Sequence, residues 1–432
     1  MEIYIVQTGD DIYSIADRYG VPITKIIQDN GLVNPYNLAI GQAIIIVFPS
    51  QTHIVVEGDT LASIANNYGV TVMQLLRNNS FLTGRKYIYT GETIVIKYNT
   101  NQKVSIIGFT YAFINKDILI KTLPYLTYLS IFNYRITEGG EIITYDDDSE
   151  LVKLAKDYGV VPLMMLSVLS LQGEPNIVLE YDILLNEQMQ NRLITNILNT
   201  LKSSGYNGIN LLISVINESN QSVYWDFIKK ISNALNNEGY FFYITINPKM
   251  TSIDDKISFE QLDYLSISKL VSGIVFLQYV WVSKAGPPSP VSDFTMIRNF
   301  INYTITKAPP EAVSIGNPLI AYDWELSKDE LIKPPNSLSL NAAIIFAYDL
   351  GATIQFDETT QTPYYQYQTI YSSRVIDHMV WYIDVRSINA LFKLINEKTL
   401  AGSGIWNIMI YYQQIWTLII SQYEIEKILP EE

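Results

Sequence analysis

The 432-residue chain contains no cysteine and only two histidines, His53 and His378. Without thiols it can form no disulfide, no thiolate nucleophile and no cysteine-held metal site. Two imidazoles are too few for a histidine-based zinc site or nucleophilic triad, so no metal or other cofactor is expected, and both histidines read as ordinary strand or loop residues. Positive charge is also scarce. Lys and Arg total 29 against 43 Asp and Glu, a formal net charge of −14. A polyanion such as nucleic acid would be repelled, and no basic patch interleaved with aromatics is present. No stretch reaches the roughly 18 consecutive apolar residues of a membrane span. The start, MEIYIVQTGDD, has neither a basic segment nor a long apolar run, so no signal peptide is expected.

What is present is apolar and aromatic. Hydrophobic residues make up 48% of the chain, and 32 residues are tyrosine. Such a chain can fill large cores and has the length of two or three domains. The tyrosines read as core and carbohydrate-facing rings or, alternatively, as a self-associating surface.

The first hundred residues contain a repeat. Gly9 matches Gly58, Tyr19 matches Tyr68 and Asn30 matches Asn79, each 49 positions apart, and Gly41 matches Gly91 at 50. Each copy predicts a strand (3–7; 53–56), a helix opened by Gly-Asp, a second short helix (24–29; 72–78) and a closing strand (43–47; 93–97). Ile12, Ile15, Ala16 and Tyr19 fall at helical spacing, as do Leu61, Ile64, Ala65 and Tyr68. In both copies "YGV" ends the first helix, where a glycine tolerates a left-handed backbone. The pattern is βααβ, twice, over 1–49 and 50–98.

With VQTGDDIYSIADRYGV and VVEGDTLASIANNYGV, both copies resemble LysM domains. The resemblance implies binding of peptidoglycan or chitin-type glycan in a shallow groove between two loops. Carried over, the groove is Gly9, Asp10, Asp11, Asn30, Gly31 and Leu32 in the first copy. In the second it is Gly58, Asp59, Thr60, Asn79, Ser80 and Phe81. Asp10 and Asp59 have a second reading, as residues that only cap helices and close turns. Two modest sites on one chain gain avidity on a repeating polymer.

After a polar linker at 98–103, eight apolar β-rich runs alternate with helical stretches, which predicts a parallel (β/α)8 TIM barrel over 99–432. The strands read as 104–113, 128–134, 161–168, 208–214, 240–247, 273–280, 314–321 and 404–410, with a small α+β insertion at about 325–377. IFNYRITEGGEIITYDDD, IGNPLIAYDWEL and GSGIWNIMI resemble glycoside hydrolase family 18, the chitinase-like barrels. With two LysM modules the chain most resembles the group of spore cortex-fragment lytic enzymes.

That family carries a D-G-x-D/N-x-D-x-E pattern on barrel strand four. Its Glu protonates the glycosidic oxygen, and its last Asp orients the substrate's acetamido group, which attacks the anomeric carbon. Here GYNGINLLIS puts Asn207, Asn210, Leu212 and Ser214 at those positions, and Val280 replaces the strand-six carboxylate. Tyr279, Trp324 and Trp406 are the aromatics left to line a sugar pocket, or to pack the barrel. No catalytic residue is assigned. The expectation is a noncatalytic barrel, a pseudoenzyme that binds glycan or serves as a structural component of the spore coat or exosporium. It would be deposited from the mother-cell cytoplasm, with other coat proteins or self-assembly as its partners. Two alternatives stay open: an active N-acetylglucosaminidase with a relocated acid, Glu218 or Asp323, and a self-assembling protein with no glycan role.

Overall fold

The computed structural model describes residues 1–431 except 86, 101, 169–175, 254–255, 278–286, 327–333 and 372–373. Each repeat folds around its own small core. In the first, strands Glu2–Ile5 and Ala43–Ile46 pair antiparallel, and helices Ile12–Tyr19 and Ile23–Asn30 cover them. Ile12, Ile15 and Ala16 lie on one helical face and bury against Ile26, Ile44 and Ile46. The second copy repeats this with strands Gln51–Ile54 and Thr93–Lys97 and helices Leu61–Tyr68 and Val72–Asn78. The first helix ends at Gly20 (φ 62°) in one copy and Gly69 (φ 63°) in the other, both left-handed. Its start differs from the sequence reading by one residue. Asp11 and Thr60 are the N-caps, each accepting from the amide three residues on.

Eight parallel strands close a barrel: Lys103–Tyr111, Tyr128–Ile136, Val161–Ser167, Gly208–Ile213, Phe241–Ile246, Gly273–Phe276, Val313–Pro318 and Gly402–Trp406. The eighth pairs with the first and the first with the second, so no edge remains between them. Ile107, Phe109, Leu163, Met165, Val275 and Leu277 fill the interior. Helices such as Glu187–Ser204 and Gln221–Asn237 cover the outside.

Strand seven stops at Pro318, short of its expected end. The chain then enters a five-stranded antiparallel sheet at Ala321–Leu326, which runs to Tyr382 and packs with helix Leu340–Asp349. Asp323 therefore belongs to the insertion and not to the end of a barrel strand. Helix Val385–Glu397 leads to strand eight as expected.

Helix Gln413–Gln422 follows strand eight and seats both repeats. Gln414 Nε2 donates to Asn30 Oδ1 and to the Ala43 carbonyl, both at 2.8 Å, and Thr417 Oγ1 donates to the Asp29 carbonyl. Ser80 Oγ of the second repeat donates to Gln413 Oε1 at 2.7 Å. The segment after Tyr423 adds a clamp, because Glu431 ion-pairs with Arg77 and accepts from Thr71 Oγ1.

Candidate active site

Strand four places its residues by simple alternation. Ile209, Leu211 and Ile213 face the surrounding helices, while Leu212 packs in the barrel interior. Asn210, also fully buried, accepts from Thr245 Oγ1 at 2.8 Å, and its Nδ2 finds no partner among the described residues. Asn207, just ahead of the strand, donates its backbone amide to the Pro162 carbonyl. Ser214 follows directly on the last strand residue, Ile213. Its Oγ is shielded from solvent and has no hydrogen-bond partner among the described residues.

Behind Ser214 stands a carboxyl that the sequence reading passed over. Glu180, on helix Ile177–Leu185 after strand three, is 5% exposed. Tyr224 OH donates to its Oε1 at 2.6 Å, while Oε2 is buried without a partner among the described residues. Burial raises its pKa above the ordinary carboxyl value, partly offset by the bond from Tyr224 and by the nearby Ser214 backbone amide. One signal could have found it. Glu180, Ile183 and Leu184 share the buried face of their helix at i, i+3 and i+4 spacing.

The two relocated acids weighed from the sequence sit elsewhere. Glu218 is exposed and accepts from the Gln261 amide at 3.1 Å. Asp323 is buried in the insertion sheet, where Tyr367 OH donates to Oδ2 and His378 Nδ1 lies 3.3 Å from Oδ1. His53, the other histidine, lies between Tyr68 OH and Asp59.

Aromatic rings wall the barrel mouth. Trp406 meets Phe109 and Tyr111 at centroid distances of 5.7 and 6.3 Å. Tyr111 stacks on Phe113 and meets Phe132 edge-on, both at 5.3 Å, and Phe113 is 69% exposed. A cleft of about 230 Å³ opens beside Trp406, lined also by Pro318, Tyr322, Ser337, Asn407 and Ile410. Tyr111, Phe113 and Phe132 were missed in the sequence. The alternation of strand one, which puts 109, 111 and 113 on one face, was the available signal. Trp324, expected in the pocket, is 2% exposed and packs in the main core. Tyr279 and Val280 lie outside the described residues.

In the repeats, Asp10 accepts from the Gln7 amide and Tyr4 OH, and Asp59 from the Val56 amide and His53. Both close the strand–helix turn. Asn30 and Asn79 are buried clips between the second helix and the closing strand. Asn30 Nδ2 donates to the Ile26 and Ile45 carbonyls and its Oδ1 accepts the Ile45 amide; Asn79 does the same with Leu75 and Val95. Gly31 packs against Gln413 and Ser80 bonds it, while Leu32 and Phe81 cover their repeat cores. Gly9, Asp11, Gly58 and Thr60 are exposed. A stacked, exposed pair, Tyr13 and Tyr36, stands beside the first loop. No described helix is long and apolar enough to cross a membrane, and no group of three or more acidic or histidine side chains among the described residues could hold a metal ion.

Residues 167–409 match the family described as glycosyl hydrolases family 18, and residues 4–47 and 53–97 match the LysM domain. The cortical fragment-lytic enzymes of Bacillus anthracis and Bacillus subtilis (strain 168) are each 30% identical, over 99% of this chain and 99% of their own. The crystal structure of the Bacillus cereus spore cortex-lytic enzyme SleL superposes with a TM-score of 0.79 at 27% identity, again covering 99% of both chains. These likenesses overturn the expectation of a noncatalytic coat or exosporium protein, since proteins alike from end to end carry the names of lytic enzymes. The sequence argument judged the mouth by departures from one pattern, at Asn207, Asn210, Leu212, Ser214 and Val280. Those positions show what two strands lack and are silent on acids brought in by other elements.

Proposed function

Because the chain belongs to glycosyl hydrolases family 18, we propose that it is a glycosidase that cleaves N-acetylglucosamine-containing fragments of spore cortex peptidoglycan. The observation that carries this reading is the end-to-end likeness to the cortical fragment-lytic enzymes. The mouth supports it, with the Trp406, Tyr111 and Phe113 rings offering apolar faces on which a sugar can stack. The LysM repeats would hold the polymer, with Gly9–Asp11 and Gly58–Thr60 as their exposed loops. The spore is where such fragments arise, and it is the location we assign.

The chemistry would be substrate-assisted: the acetamido oxygen attacks the anomeric carbon while the leaving oxygen takes a proton. Such a route needs one well-placed acid rather than two. The test is incubation of purified cortex fragments with the protein, followed by mass spectrometry of the products. Shortened fragments with new reducing ends are expected. Fragments left intact under all conditions of pH and enzyme concentration would overturn the reading.

A further inference from the structure

We infer that the cavity between the two repeats is a single glycan site that both of them build, and that it takes an uncharged N-acetylglucosamine oligomer; the inference rests on the cortex-glycan part of the reading above. The cavity holds about 600 Å³, within the roughly 300–1,000 Å³ of ordinary ligand sites. Its walls come from helices Ile23–Asn30 and Val72–Asn78, one in each repeat, from the closing strand of the second, and from helix Gln413–Gln422. These walls are pinned to one another. Thr417 Oγ1 donates to the Asp29 carbonyl, Ser80 Oγ donates to Gln413, and Arg77 pairs with Glu431. A site whose walls are already fixed loses little freedom on binding.

The lining selects the ligand. Four charged residues border the cavity, and each is already in an ion pair: Lys25 with Asp29 at 2.8 Å, Arg77 with Glu431, and Glu92 with Arg85 at 2.8 Å. No unpaired charge among the described residues of this lining is left to hold an ionic ligand. Neutral polar groups are left over. Thr24, Gln28, Thr52 and Thr93 are exposed and make no side-chain hydrogen bond among the described residues. Apolar surface accompanies them, from Pro22, Phe48, Pro49 and Phe81, with Phe48 47% exposed. Hydroxyl and amide groups together with ring and proline faces suit a ligand that combines hydrogen-bonding edges with apolar CH faces, as an acetamido sugar chain does.

This cavity is distinct from the grooves expected within each repeat. In the second repeat Asn79, Ser80 and Phe81 border it, whereas Gly58, Asp59 and Thr60 do not. In the first, a Cβ at Gly31 would meet Gln413 Cβ at 2.7 Å, so the barrel occupies the space beside that loop.

The test uses the full chain and the N-acetylglucosamine hexamer. Amide hydrogen exchange is measured in the cold across a hexamer titration, and mass spectrometry of the same samples records the length of the sugar. The hexamer should slow exchange together at 24–29, 47–52 and 91–95, segments that belong to both repeats. Phe48→Ala should raise the hexamer concentration at half-protection by roughly tenfold, and Gln28→Ala by roughly threefold. Both side chains are exposed, so both variants keep the fold. The inference is overturned if protection appears only at 9–11, 58–60 or the barrel mouth, if it appears in one repeat alone, or if both variants are protected at the unaltered concentration. No protection anywhere also overturns it and leaves the glycosidase reading standing, because that reading is judged by the cleavage of cortex fragments. Protection at the cavity with cortex fragments left intact sinks the glycosidase reading alone.

Discussion

The two repeats share a fold, a capping scheme and a buried asparagine clip, yet they meet the barrel by different means. The first docks without an ion pair to the barrel among the described residues: Gln414 bonds Asn30 and Ala43, Arg386 Nη2 donates to the Gly41 carbonyl, and the loop at Ile40–Gly41 runs tight along Ile354. The second docks through charge: Arg77 donates to the Pro124 carbonyl, pairs with Glu431 and stands near Lys427. One module has thus been seated twice on one barrel, once by shape and once by an ion network. Repetition in sequence sets what each module is and leaves its attachment free to diverge.

Breaking the charged seat should have the largest effect. Arg77→Ala leaves Glu431 only Lys427, 3.7 Å away, and the Thr71 hydroxyl in a poorly solvated site, and a loss of up to about 3 kcal/mol is expected. Denaturant unfolding should show this loss, with amide exchange rising in the second repeat well before the first. The shaped seat is tested next by a matched pair of glycines. A Cβ at Gly41 (φ 85°) would sit 1.9 Å from the Ile354 carbonyl oxygen, whereas one at Gly91 (φ 90°) meets nothing within 4 Å. Both alanine variants carry a left-handed strain of about 1–2 kcal/mol, so Gly41→Ala should lower Tm clearly more than Gly91→Ala; equal losses would show that the Ile354 contact does not seat the repeat.

The smallest effect is one of pH. Burial, with Arg77 close by, pushes Lys427 down to about 7, against an unfolded value of 10.5. Between those values the unfolded chain binds the proton more readily than the folded one. Stability therefore rises as pH climbs from about 7 towards 10, by up to about 1 kcal/mol per unit, and sits on its lower level below 7. Lys427→Met should flatten that slope, read from denaturant midpoints at pH 7, 8 and 9.

The repeats were legible because their signals are local: a cap, a helical stripe and a glycine stop within one short span. The barrel was legible in the count and spacing of its apolar runs, although strand seven and the insertion blurred where Pro318 and Ala321 lie three residues apart. The mouth was half legible. Leu212 and Ser214 could be read as departures from a pattern, and Trp406 as a ring at a strand end. Glu180 could not be placed, because its burial against Tyr224 arises from two helices packing together, a relation with no fixed spacing in the chain. The docking of both repeats was hidden for the same reason.

Helix Gln413–Gln422 starts a few residues after Trp406 and touches both repeats. One short helix thus ties both polymer-binding modules to the wall of the mouth. Melting should follow suit, with calorimetry recording one joint transition where three independent modules would give three.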